Sequence, residues 1–197
     1  MLKINQIRCE VGDTFSIYHI AKKLRCSIND IQSYEIDRES IDARGDDLHY
    51  SYSVYASVKN ENKYLKNHDV KKENKEIYVL PTVQKIPTQR PIIVGFGPSG
   101  MYAGLILAEA GLKPIIIERG QAVEQRTKDI NEFFTKGKLL ESSNVQFGEG
   151  GAGTFSDGKL TTRMKNIRVS KVYEEFVEAG ANPAILYQQR PHLGTDV

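Results

Sequence analysis

Long apolar runs are missing from this 197-residue sequence, and none approaches the roughly 18 residues that a membrane-spanning helix needs. The opening MLKINQIRCEVGD lacks the apolar stretch of a secretory signal. Both absences point to the cytoplasm and away from the membrane. Cysteine is scarce, with Cys9 and Cys26 alone and without metal or redox spacing, so both are expected as reduced thiols and no metal site is expected. Charge of one sign is also lacking: 27 Lys+Arg against 25 Asp+Glu leave a net +2. That balance gives no support to nucleic acid or an anionic membrane surface as a partner. No internal repeat is visible. What remains is ordinary globular composition, 40% hydrophobic and 26% charged, in a length that suits one large domain or two small ones.

Residues 1–80 read as a small α+β domain. In KINQIRCEV the apolar set is Ile4, Ile7, Cys9 and Val11, which describes a strand that slips phase near Gln6. Gly12-Asp13 is a turn signal. Phe15, Ile17, Ile20, Ala21 and Leu24 recur at helical spacing opposite Lys22, Lys23 and Arg25, with Thr14 as the expected cap. A second short helix is expected after Ser27, which has Asp30 three residues on. LHYSYSVYASV alternates, so Leu48, Tyr50, Tyr52, Val54, Ala56 and Val58 are expected on a buried strand face. The Lys-rich stretch 59–76 is expected as a solvated loop or hairpin arm, with a nucleic-acid contact the less favoured alternative. IYVL before Pro81 reads as a short strand. Pro81, Pro87 and Pro91 mark a linker over 81–90.

Residues 91–197 open with PIIVGFGPSGMYAGLILAEAGLKPIIIERG. Ile92–Val94 and Ile115–Ile117 are apolar triplets of the kind found in parallel strands buried on both faces. The helix between them is stopped by Gly111. Strand, helix and strand within about 30 residues make a right-handed βαβ crossover. In the loop Gly95-Phe96-Gly97-Pro98-Ser99-Gly100 each glycine has a physical role. Gly95 permits the turn out of the strand, Gly97 lets a pyrophosphate approach the backbone, and Gly100 lets the helix pack on the strand. The helix start, with Pro98 at its first position and Ser99 in its first turn, offers N–H groups and partial positive charge to phosphate. Glu118 ends the second strand, 18 residues after Gly100, where its carboxylate suits a ribose diol and disfavours a 2′-phosphate. The full context makes this loop a dinucleotide site, most favourably one for FAD.

NVQFGEGGAGTFSDGKL, residues 144–160, holds Gly148, Gly150, Gly151, Gly153 and Gly158. Such density implies close backbone approach or positive φ. Ser142, Ser143, Thr154 and Ser156 are candidate hydroxyl contacts. Lys159 lacks the following Ser or Thr of a phosphate-binding P-loop. Asp157, Lys159 and His192 are weaker candidates. The helix expected over 168–179 should show Glu174, Glu175 and Glu178 to solvent.

IIVGFGPSGMYAGLILAEAG…IIIERG, NVQFGEGGAGTFSDGKLTTR and PHLGTD together resemble the bacterial FAD-dependent dehydrogenases known as NAD(FAD)-utilizing dehydrogenases. SIDARGDDLHYSYSV, with Ser40, Ile41, Asp42, Ala43 and Arg44, resembles the leading domain of that family. The resemblance implies an α/β chain in which an incomplete Rossmann-like FAD/NAD(P)-binding βαβ domain follows the small α+β domain. It implies FAD as cofactor, a small-molecule substrate and NAD(P)H as a candidate electron donor. It further implies that Gly95, Gly97, Pro98, Ser99 and Gly100 face the pyrophosphate, that Glu118 meets the adenosine ribose and that Arg119 lies near the adenosine or pyrophosphate. Gly150, Gly151, Thr154 and Ser156 would run towards the flavin. Members of that family are much longer, so this chain is expected to be an N-terminal portion that does not turn over alone. The alternatives are an NAD-dependent dehydrogenase using the same loop, and a non-catalytic nucleotide- or RNA-binding module.

Overall fold

A computed structural model describes residues 1–45, 47–155, 158–162, 164 and 166–193. The chain divides into two compact units. One comprises Met1–Tyr78 with the described residues from Lys159 onward, and the other Val79–Gly158.

The first unit is built on four strands and a helix: β1 (Leu2–Glu10), α1 (Ile17–Leu24), β2 (Ile31–Asp42), β3 (His49–Val58) and β4 (Val70–Lys72). The sheet order is β2-β3-β1-β4, and all neighbours are antiparallel. The phase slip in β1 is real. The register breaks between Ile4 and Ile7, and Gln6 adopts φ +54. A bulge there keeps Leu2, Ile4, Ile7 and Cys9 on one face, all at most 1% exposed. Val54 and Ala56 of β3 and Ile20 and Leu24 of α1 complete this core. α1 starts later than expected: Ser16, not Thr14, is its cap, and the Ser16 N–H donates to Nδ1 of His19 at 3.2 Å. Ser27 and Asp30 cap a 3₁₀ turn, Ile28–Asp30, as their spacing implied.

β2 was not legible from the sequence. Its residues IQSYEIDRESID are largely polar and only Ile31 is buried, because it is an edge strand whose order comes from its ladder with β3. The free edge of β2 also accounts for the grouping of the last residues. The Glu39 N–H donates to the carbonyl of Tyr187 (2.8 Å), and Glu39 forms a parallel bridge with Gln188. From the sequence, residues 91–197 are expected in one domain. In the structure the described residues after Gly158 group with the first unit.

β3 departs from a one-faced strand. Ser53 and Tyr55 are only 7% and 5% exposed. The segment after β4 crosses that face. Glu73 accepts from the Tyr55 hydroxyl (3.2 Å) and from Lys3 Nζ (3.4 Å), and Lys75 pairs with Glu35. Thus the stretch expected as a solvated arm contains a 3₁₀ turn (Glu61–Tyr64), β4 and a covering segment. The strand expected in IYVL does not form, and residues 77–80 carry no regular structure. The helix Ile167–Glu178 forms as expected, capped by Asn166. Glu178 is exposed, but Glu175 pairs with Lys171 one turn earlier and its side chain is 15% exposed. That i,i+4 geometry draws it off the solvated face.

The second unit opens with β5 (Ile92–Val94), α2 (Pro98–Glu109) and β6 (Ile115–Ile117). β5 and β6 are parallel, with Ile92 opposite Ile115 and Val94 opposite Ile117. α3 (Val123–Lys136) and a 3₁₀ turn (Gly151–Phe155) follow. Gly104 is the buried residue of α2, and a Cβ there would lie 2.8 Å from Cδ1 of Ile116. The expectation of strands buried on both faces is corrected: Ile92 is 63%, Val94 84% and Ile117 53% exposed. A sheet of two strands with one crossover helix leaves the rest of its apolar surface uncovered.

The chain is therefore mixed α/β, with a four-stranded antiparallel sheet and a small parallel one. Among the described residues no helix is long and apolar enough to cross a membrane.

Candidate functional site

The glycine loop leaves β5 at Gly95, whose φ is +98 and whose N–H donates to the Ile117 carbonyl at 2.7 Å. The chain turns there at no steric cost because glycine has no Cβ. Gly97 caps α2 with extended backbone, Pro98 takes the first helical position, and no side chain caps the helix. A helix start without a capping side chain is where an anion can bind. Gly100 sits where a Cβ would lie 2.0 Å from the Gly95 carbonyl oxygen. Only glycine lets helix and loop approach this closely.

Glu118 closes the loop from the end of β6. Its Oε2 accepts from the Phe96 N–H (2.6 Å), and its Oε1 from the N–H groups of Gly120 (2.8 Å) and Gly148 (3.2 Å). These donors, Gly120 foremost and then Phe96, Gly148 and Arg119, hold the carboxyl below the usual glutamate range. A depressed carboxylate stabilises the fold above its unfolded value, about 4.3, and loses that contribution as pH falls through the lower folded value. Glu118→Gln is therefore expected to lower the denaturation midpoint of the second unit at neutral pH and to flatten its fall below about pH 4.3. Equal pH profiles for parent and variant would contradict this account.

The second glycine segment packs directly on the first. The Gly150 N–H donates to the Phe96 carbonyl (2.8 Å), and a Cβ on Gly151 would lie 3.0 Å from Cα of Gly97. Gly150 and Gly151 have φ of +82 and +62, so their glycine identity is a backbone requirement. Gly120 and Gly148 also touch: a Cβ on Gly120 would lie 2.4 Å from the backbone of Gly148.

Arg126 of α3 organises this segment and was not singled out in the sequence. It is fully buried. Its guanidinium donates to the carbonyls of Asn144 (3.0 Å), Val145 (2.9 Å) and Glu149 (2.6 Å) and to Oγ1 of Thr154 (3.3 Å). It also lies 4.9 Å from the centre of the Phe155 ring. Burial pushes its pKa down, with the charge of Glu118 opposing that effect. Glu149 completes the frame by accepting from the Val123 N–H (2.8 Å), which caps α3.

Between the two glycine segments and the strand ends lies a recess of about 370 Å³, within the range of roughly 300–1,000 Å³ typical of small-molecule sites. Gly95, Gly97, Glu118, Arg119, Phe147 and Gly151 are among its walls. The Arg119 guanidinium stacks on the Phe147 ring, 3.7 Å from its centre.

The structure thus brings together Gly95, Gly97, Pro98, Gly100, Glu118, Arg119, Gly150 and Gly151, with Ser99 in the first turn of α2. Thr154 serves the loop itself, its hydroxyl donating to the Glu149 carbonyl at 3.0 Å. Ser156 and Asp157 lie outside the described residues, as does the end of PHLGTD. Ser143 is corrected from a ligand contact: it is buried, and its hydroxyl donates to Oδ2 of Asp129 at 2.5 Å. Lys159 and His192 form an antiparallel bridge to one another in the first unit. Phe147 and Gln146 joined the site only through folding. The signal that could have drawn attention to Phe147 is an aromatic residue immediately before the first glycine of a glycine-dense segment.

Residues 1–57 match a family described as a domain of unknown function, DUF8436. The chain is 43% identical over 203 residues to an uncharacterized protein of Clostridium beijerinckii. That likeness covers 100% of this chain and 38% of the relative, so the chain spans well under half the length of the protein it matches.

Proposed function

We propose that the second unit is a Rossmann-like half-site for the adenosine diphosphate portion of FAD, within a cytoplasmic flavin-dependent oxidoreductase. The observation that carries the reading is the recess where Gly95, Gly97 and the start of α2 converge on Glu118 and Arg119. Gly97 offers bare backbone and Glu118 a charged acceptor at the end of the adjacent parallel strand. This is the donor and acceptor set that a pyrophosphate and a ribose require. The fit is tightest at Glu118, whose oxygens already accept backbone donors. A ribose hydroxyl entering there competes with the longest of these bonds, from Gly148 at 3.2 Å.

In this proposal Gly95, Gly97, Pro98, Ser99 and Gly100 meet the pyrophosphate. Arg119 lies beside the adenosine, while Gly150, Gly151 and Thr154 lead towards the flavin. A bound flavin supplies the redox chemistry, and these residues bind and orient it. NAD(P)H is the candidate electron donor, and the substrate is a small molecule.

The test is a titration of the chain with FAD and separately with NAD+, followed by flavin fluorescence and calorimetry. Saturable FAD uptake is expected. Uptake of NAD+ alone would move the reading to a nicotinamide-dependent dehydrogenase using the same loop. Failure to take up either would overturn it.

A further inference from the structure

We propose that Phe147, held by Arg119, is the base platform of this recess and that Gln146 reads the edge of an adenine ring. The proposal rests on the nucleotide reading above and deepens it by naming the residues that hold and read the adenine. A cation over an aromatic ring on a protein surface is common and by itself says little. Here three further observations give the pair a ligand-facing character. It lines the recess together with Glu118 and Gly97, where ribose and phosphate would lie in that reading. Val94 and Ile117, two branched apolar residues, also line the recess. Phe147 itself is 37% exposed, although the adjoining Gly148 is buried and bonded to Glu118.

A recess lined by branched aliphatic side chains and by an aromatic–guanidinium stack suits a flat, heteroaromatic ring. Such rings gain from stacking on aromatic side chains and on the guanidinium plane. Gln146 sits next to the platform and also lines the recess. Its amide presents a donor and an acceptor side by side. That pattern complements the amino group and ring nitrogen of adenine, whereas guanine presents two acceptors along the matching edge. Both features suit the adenine end of the proposed ligand. The base lies on Phe147, the ribose at Glu118 and the phosphates at Gly97.

Calorimetric titration of the chain with ADP and with GDP tests this. ADP is expected to bind at least about fivefold more tightly than GDP. Phe147→Leu keeps apolar bulk and removes the aromatic face. It is expected to weaken ADP roughly tenfold, with the thermal midpoint and the amide exchange of residues 144–155 unchanged. ADP affinity that is the same in the parent, Phe147→Leu and Phe147→Ala would overturn the platform. So would a loss accompanied by faster exchange across 144–155, because Phe147 would then act on the loop and not on the base. Equal binding of ADP and GDP would overturn the role of Gln146. FAD uptake combined with any of these leaves the nucleotide reading standing, whereas no uptake of ADP, GDP or FAD brings down both.

Discussion

Gly100→Ala is expected to unfold the second unit, whereas Gly97→Ala should leave it folded and cost it at least tenfold in nucleotide affinity. The two glycines lie three residues apart in one loop, and the distances around them separate the outcomes. A Cβ at Gly100 would lie 2.0 Å from the carbonyl oxygen of Gly95 and 3.0 Å from its carbon. Both obstacles are backbone, so no rotamer change relieves the clash. Overpacking a core usually costs about 1–3 kcal/mol and more when backbone must move. That is a large part of the roughly 5–15 kcal/mol that holds an ordinary domain together. At Gly97 the nearest atom to a Cβ would be Cα of Gly151, at 3.9 Å, an ordinary contact. The backbone there, φ −78 and ψ −176, suits any residue. The added methyl would instead occupy space where a pyrophosphate approaches. Thermal denaturation by circular dichroism, paired with titration by FAD and ADP, reads both effects. Parent-like melting of Gly100→Ala would contradict the packing argument. Parent-like binding by Gly97→Ala would contradict the close-approach argument.

Arg126→Met is expected to destabilise the second unit by about 3 kcal/mol or more and to free residues 144–155. A buried acceptor stripped of its donor costs about 1–3 kcal/mol. This single guanidinium serves three main-chain carbonyls, those of Asn144, Val145 and Glu149, and the Thr154 hydroxyl. Methionine fills a similar volume but takes this donor from the Asn144 and Val145 carbonyls and leaves the Glu149 carbonyl with the Thr154 hydroxyl alone. Arg126→Lys is expected to recover little, because an ammonium is a point donor and cannot span the separate carbonyls that a planar fork reaches. Nucleotide affinity should fall with both variants, since the segment they release carries Phe147, Gly150 and Gly151. Denaturant unfolding and amide exchange over 144–155 measure the effect. Parent-like exchange in Arg126→Met would show that other contacts hold the segment.

Much of this protein was legible as sequence because much of it is local. The spacing of Gly95, Gly97 and Gly100, the apolar triplets on either side and the terminal Glu118 all lie within about 30 residues. Their roles follow from turn sterics, the helix terminus and strand period. The phase slip at Gln6 and the Ser27–Asp30 cap are local in the same sense, and both stand in the structure. β2 was not legible. An edge strand with polar residues on both faces leaves no apolar alternation, and only its ladder with β3 reveals it. The burial of Tyr55 was equally hidden, since it depends on Glu73, 18 residues further on. Arg126 looked like one more charge on a polar helix. Its burial became evident only once the carbonyls of residues 144–149 had folded around it. Glu118 shows both sides of this division. The sequence by itself determined that a carboxylate stands at the end of the second parallel strand, because strand period and loop length place it there. Tertiary structure alone decided that it accepts from Phe96, Gly120 and Gly148 at once, because hydrogen-bond partners drawn from two glycine segments are chosen by packing and not by proximity along the chain.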